Sequence, residues 1–169
     1  MYDGRPQLTA SDVKKIEAEI EERKLVIRPQ LIGEVKEARA QGDLSENFEY
    51  YAAKKAKNEN EGRIRYLERM LKTANVISDA SNDDEVGINN TVNLYFEEDD
   101  EEQVFKVVTS IRGNSLENRI SNESPIGKAI IGHKVGDRVA VKANADYTYY
   151  VVIRAIDKSS GDDDDIKRF

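Results

Sequence analysis

Two carboxylates three positions apart, Asp43 and Glu46, lie in the stretch Gly42-Asp43-Leu44-Ser45-Glu46-Asn47, which interrupts two long segments of helical character. Carboxylates paired in a turn offer hard oxygens of the kind Mg²⁺ takes, and they can orient or deprotonate a water. The same spacing suits a capping box, in which one side chain accepts from the N3 amide and the Glu reaches back to the cap. It also suits the positive end of a helix dipole. The two roles are compatible, because one residue can cap while the other stays free. Basic residues flank the pair at Arg39, Lys54, Lys55 and Lys57. They form either a solvated face with i, i+4 partners or a patch for phosphates. Tyr50 and Tyr51 either pack at the turn or stack on a base.

The surrounding pattern decides where such a site would sit. Gly42 permits a positive φ, and Asp43, Ser45 and Asn47 favour turns and helix starts, so one helix ends near Gln41 and another begins around Ser45. Upstream, with Thr9 or Ser11 as cap, apolar residues recur at Val13, Ile16, Ile20, Ile27, Leu31, Val35 and Ala38. Gaps of three, four and seven make a seam for a partner helix. Arg23 and Lys24 interrupt it, and Pro29 predicts a kink. Downstream, Ala53, Ala56, Ile64, Leu67, Leu71 and Ala74 supply the matching seam. The prediction is an antiparallel coiled-coil hairpin over residues 1–77, roughly 45 Å long if fully helical, with Asp43 and Glu46 at its far end.

Residues 78–90 have almost no apolar content and read as a linker or the lead into a strand. Beyond them the period changes to two: Val92, Leu94, Phe96; Phe105, Val107, Thr109; Val139, Val141; Tyr147, Tyr149, Val151, Ile153, Ala155. That alternation marks half-buried antiparallel strands over 91–158. The acidic run Glu97–Glu102 is a solvated hairpin loop on this pattern. One short helix is punctuated by Ser124 as cap, Pro125 at its first position and Gly132 at its left-handed end. The fold class is α+β. His133, the single histidine, is a surface residue and can build no triad or His-based metal site, and the tail 159–169, with Asp162–Asp165, reads as a disordered, solvating terminus.

Composition bounds the function. Of 169 residues 38% are hydrophobic and 35% charged, natural for a hairpin that is mostly surface. There is no cysteine, hence no disulfide or thiolate metal site. No run of about 18 apolar residues and no basic-then-apolar leader is found, so a soluble, cytoplasmic protein is expected, with no membrane partner. The net charge of −7 argues against a general nucleic-acid binder. Residues 1–75 carry 15 Lys and Arg against 14 Asp and Glu, and the rest carry 11 against 19. Any RNA contact is therefore local to the first half, and the acidic second half suits a protein partner.

The run Glu37-Ala38-Arg39, Gly42–Asn47, Glu49-Tyr50 and Ala52-Ala53 resembles the tip of the bacterial transcript cleavage factors of the GreA/GreB family. The likeness continues through Asn60–Ile64 and Asn75–Ile77, and resumes at Ile120-Ser121, Ser124–Gly132 and Val135–Asp137. The resemblance implies an FKBP-like second domain that docks on RNA polymerase, with Ser124, Pro125, Ile126 and Gly127 in the docking surface. It implies a hairpin that enters the polymerase's secondary channel. There Asp43 and Glu46 would help hold a second Mg²⁺ and position the attacking water, so that the polymerase's own cleavage of backtracked RNA is stimulated. Arg39, Lys54 and Lys55 would hold the displaced RNA 3′ end, and Ser45, Asn47 and Tyr50 would support the tip. On this resemblance, closer to GreA than to GreB, the factor is a monomer that is not itself an enzyme, is inert alone and has no cofactor of its own beyond the shared Mg²⁺. Two rivals stay open: a channel-binding inhibitor of polymerase, and a folding helper built on the second domain. Phe48, Tyr51 and the run Arg112–Arg119 depart from the family pattern.

Overall fold

A computed structural model describes residues 4–42 and 47–168. They divide into two compact units, one comprising Met1–Pro6 and Val13–Ala74 and the other Gln7–Asp12 and Asn75–Phe169.

The first unit is a helical hairpin. Helix α1 (Ala10–Glu22) runs through a π-helical turn, Arg23–Ile27, into α2 (Arg28–Arg39), and α3 (Phe48–Thr73) returns along them. Every seam residue predicted from the sequence is buried or half-buried, with Ile16, Ile64 and Leu67 fully enclosed. The expected kink at Pro29 takes another form. Pro29 lies in the first turn of α2, and the irregularity is the π turn just before it. That turn puts Leu25 and Val26 into solvent. The Arg28 N–H reaches back to the Arg23 carbonyl, which also accepts from Asn60 Nδ2 at 3.3 Å.

Polar pairs take over where the apolar seam breaks. Arg23 Nη1 donates to Asn60 Oδ1 at 2.9 Å, and Arg28 grips Glu61 with two bonds of 2.8 and 2.9 Å. Arg63 and Arg23 both donate to Glu19, each at 2.8 Å, and Lys24 pairs with Glu68. Burial pushes the Glu19 carboxyl up, but the hydrogen bonds and charges of Arg63 and Arg23 outweigh it together and hold the group below its ordinary value.

In the second unit a five-stranded sheet has the order β5-β4-β3-β7-β6. Its members are β3 (Thr91–Phe96), β4 (Glu101–Val108), β5 (Arg119–Ser121), β6 (Arg138–Asn144) and β7 (Tyr147–Asp157). The alternation read from the sequence points Val92, Leu94, Val107, Val139, Val141, Val151 and Ile153 to one face, where helix α4 (Pro125–Ile130) covers them with Ile130. The predicted sheet is antiparallel, and three of its four pairings are. β5 instead lies parallel to β4, because two single 3-10 turns, Ser110–Arg112 and Ser115–Glu117, carry the chain back to start beside the same strand. Two short strands, β1 (Gln7–Leu8) and β2 (Asn75–Val76), pair in parallel as a separate ribbon.

Two composition-based expectations fail here. The stretch 78–90 is not a simple linker: Val86 enters the core, and its backbone exchanges hydrogen bonds of 2.9 Å with Gly132 and His133. The tail is not a solvating terminus either, since Asp164 pairs with Lys106 and Arg112, and Asp165 pairs with Arg119. Both segments look polar because their partners are distant in sequence.

Residues 7–12, the first turn of α1 among them, belong to this unit and hold a buried ion pair within it. Thr9 caps the helix, with reciprocal bonds of 2.9 and 3.2 Å to Asp12. The Asp12 carboxylate also accepts from Thr109 Oγ1 at 2.6 Å and from Arg112 Nε at 2.7 Å, and neither Asp12 nor Arg112 is exposed at all. Removing Asp12 takes away the carboxylate on the Nε side of the buried Arg112 guanidinium and leaves Asp164 as its remaining anionic partner. Asp12→Ala is therefore expected to lower the unfolding free energy by about 3–5 kcal/mol, measured by urea denaturation; a loss below about 1 kcal/mol would show that water reaches Arg112.

The Glu19 cluster sets a pH response. A carboxylate held below its unfolded value of 4.5 stabilises the fold above that value, and the contribution disappears as pH falls through the folded one. Wild type should lose more stability than Glu19→Gln when pH is lowered from 6 to 3, read from paired thermal melts. Equal losses would show that Glu19 contributes no acid sensitivity.

Candidate functional site

The far end of the hairpin is built by three residues. α2 stops at Arg39, and Gly42 takes φ 121°, a backbone state that L side chains rarely adopt. Asn47 caps α3: its Oδ1 accepts the Tyr50 N–H at 3.0 Å, and its Nδ2 donates to the Ala38 carbonyl at 2.6 Å. One side chain thus closes both helix ends. The N-cap is Asn47 and not Ser45, so α3 begins later than the sequence suggested. Asp43, Ser45 and Glu46 lie outside the described residues. They belong to the four-residue connection between Gly42 and Asn47.

Tyr50 gathers the cations. Arg39 Nη2 donates to its hydroxyl at 3.4 Å and the guanidinium stands 5.6 Å from the ring centroid, while Lys54 Nζ is 6.0 Å from that centroid. The Arg39 hydrogen bond, against a smaller opposing effect of burial, pulls the phenol below its ordinary pKa. Tyr51 meets Tyr50 edge to face at 5.5 Å. Arg39 and Lys54, 15 positions apart, are thereby brought together. Among the described residues neither is ion-paired, whereas Lys55 points to Glu59 at 3.9 Å along its own helix. Sequence reading missed a groove of about 440 Å³ lined by Glu34, Glu37 and Glu49 together with Ala52, Ala53 and Ala56. The signal was present in the alanines, which let the two helices and solvent approach.

The predicted docking residues sit at the start of α4 and do mostly structural work. Ser124 Oγ accepts the Gly127 N–H at 3.1 Å and donates to the Ser121 carbonyl at 2.6 Å. A Cβ at Gly127 would lie 2.0 Å from that same carbonyl, so no side chain fits. Ile126 packs on the core, and Pro125 alone of the four is largely exposed. His133 Nδ1 lies 3.2 Å from Asp137 at a half-exposed position. The second unit's cleft of about 540 Å³ has no aromatic residue in its lining, which runs from Ser78 to Ile88 and includes Asn122 and Ile131. Among the described residues no group of three or more His, Asp or Glu is placed to hold a metal ion. None of the described helices is long and apolar enough to cross a membrane.

Residues 6–76 match the model "Transcription elongation factor, N-terminal", and residues 80–157 match "Transcription elongation factor, GreA/GreB, C-term". The transcription elongation factor GreA of Streptococcus thermophilus is 42% identical over 154 residues, covering 90% of this chain and 96% of its own length. That of Streptococcus pneumoniae is 41% identical over the same span. The solved structure of the transcription factor Gfh1 covers 90% of this chain at 25% identity with a TM-score of 0.45. Two family models that together span most of the chain, and relatives above 40% identity over nine-tenths of it, lead to one assignment: the chain belongs to the GreA/GreB family of transcription elongation factors.

Proposed function

We propose that the protein works on bacterial RNA polymerase, in the cytoplasm, as a monomer that lends its hairpin tip to the polymerase active site and stimulates cleavage of backtracked RNA. The observation that carries this reading is the tip itself. Asn47 closes the ends of α2 and α3 at once, four positions after Asp43 and one after Glu46 in sequence, and two cations are gathered on Tyr50 next to that closure. A 26-residue helix such as α3 is about 39 Å long, a reach suited to a deep channel.

Asp43 and Glu46 offer four carboxylate oxygens, the hard donors that Mg²⁺ prefers, and two carboxylates in one turn bind such an ion weakly without further ligands. The metal would be shared with polymerase carboxylates and would stabilise attacking and leaving oxygens. The protein's own residues orient the water, accept its proton and hold the displaced strand. Arg39 and Lys54 would grip phosphates of the RNA 3′ segment, since affinity for a strand of any sequence comes from its backbone. Lys55, one position on, would extend the same patch. The factor is then no enzyme alone. Pro125, with Ser124, Ile126 and Gly127 fixing its position, would present the docking corner to polymerase.

Asp43→Asn and Glu46→Gln should each retain polymerase binding and lose stimulated cleavage of a stalled complex by about 10²-fold, the scale of one acid–base or electrostatic group. The readout is the shortened, extendable transcript. Wild-type cleavage by both variants would remove the pair from the mechanism, and slowed synthesis without shortened RNA would identify an inhibitor instead.

Arg39→Ala and Lys54→Ala should weaken crosslinking of the RNA 3′ end and reduce the slope of log affinity against log salt by about 0.7 for each phosphate no longer neutralised. Unchanged crosslinking and slope would leave both as surface charges held by Tyr50.

A further inference from the structure

Family similarity ends at residue 157, and the chain beyond it does something that composition does not suggest. Ser160 Oγ meets Thr91 Oγ1 at 2.6 Å, and Lys106 Nζ donates to the Gly161 carbonyl. Asp164 Oδ2 then accepts from Lys106 at 2.8 Å and Arg112 Nη1 at 3.0 Å, and Asp165 accepts from Arg119 Nη2 at 2.9 Å. Lys167 finally donates its backbone N–H to the Ile111 carbonyl at 2.6 Å. Arg112 forms the floor: it is fully buried, anchored on the far side by Asp12, and among the described residues its Nη2 has no hydrogen-bond partner. Arg119 is held against it by Nε donating to the Arg112 carbonyl at 2.8 Å and by an ion pair with Glu117.

We propose that the recess formed by Lys106, Arg112 and Arg119 is a binding site for an extended acidic peptide, and that the chain's own residues 160–167 are its resident occupant. Arg112 and Arg119 are fixed by residues outside the tail, Asp12 and Glu117 among them, so two of the three cations stand in place before the site is filled. Its contacts distinguish a peptide from a phosphate chain: besides carboxylates, it reads one backbone carbonyl through Lys106 and one backbone N–H through the Ile111 carbonyl. An anion without an N–H donor would leave the second of these unmet. Because the tail is tethered, its effective concentration is high, and an acidic segment of a partner enters only by displacing it. The contacts are mainly charge pairs, and Asp165 is largely exposed, so exchange is promoted by salt. Nothing in this device requires polymerase or the hairpin tip.

The test uses the full chain, with Asp164 and Asp165 both changed to Asn, and a fluorescent peptide carrying the sequence of residues 159–168. The variant should bind the peptide at least about tenfold more tightly than wild type, whose site is occupied in cis. Added salt should weaken the binding, and Lys106→Gln in the same background should abolish it with the circular dichroism spectrum unchanged. Absence of binding to the variant, or equal binding to variant and wild type, would overturn the proposal. Displacement of the peptide by tripolyphosphate as readily as by unlabelled peptide would also overturn it, by showing a general anion site. Should the double variant lose its fold, Asp165→Asn alone is compared with wild type in the same way, and tighter binding supports the proposal while equal or absent binding overturns it.

Discussion

Two helices that share a narrow apolar seam can slide by a turn unless something polar forbids it, and the hairpin depends on that prohibition. Apolar contact rewards many registers almost equally, whereas a buried amide or guanidinium is satisfied in one. Asn60 is the clearest case. It is buried, it bonds Arg23 through both side chain and backbone, and the carbonyl it reads is shared with the π turn. A slip of one turn would break these bonds together with the bidentate Arg28–Glu61 pair and the Glu19–Arg63 pair. The position of Asn47 over the end of α2 follows from this register, and with it the placement of everything at the tip.

The π turn fits the same account. Arg23 and Lys24 fall where the seam calls for apolar side chains, and Leu25 and Val26 fall where it calls for polar ones. One extra residue in the turn shifts the register of α2 relative to α1, so that Ile27, Leu31 and Val35 return to the seam while Leu25 and Val26 face water. The helix gives up regular hydrogen bonds over one turn, and Asn60 supplies one in return. Pro29 alone would have produced neither the insertion nor the shift.

Much of this was legible in the sequence because it is periodic. The seam, the alternating strands, Ser124 with Pro125, and Gly132 at φ 83° are local rules acting on adjacent residues. What escaped reading is long-range and polar. Nothing near Asp12 points to Arg112, 100 positions away, and nothing in the aspartate run announces Lys106 or Arg119. Val86, with Ile88 as its one apolar neighbour among polar residues, gives too short an alternation to read, yet it completes the core. At the tip, the residue types were readable and the capping residue was not: Asp43, Ser45 and Asn47 are all competent caps, and the interhelical bond of Asn47 to Ala38 distinguishes the last of them.

Tyr50 shows how a neutral residue can prepare a charged site. Cations within reach of carboxylates normally pair with them, and a paired cation has little attraction left for phosphate. Arg39 and Lys54 are instead held against an aromatic ring, which orients them by its quadrupole and its hydroxyl without cancelling their charge. Lys55, facing Glu59 on the outside of α3, illustrates the ordinary outcome. The contrast separates three neighbouring basic residues on physical grounds: among the described residues Arg39 and Lys54 meet no carboxylate, and Lys55 gives up part of its field to Glu59. Among the described residues a ring, and not a salt bridge, fixes where these two positive charges stand.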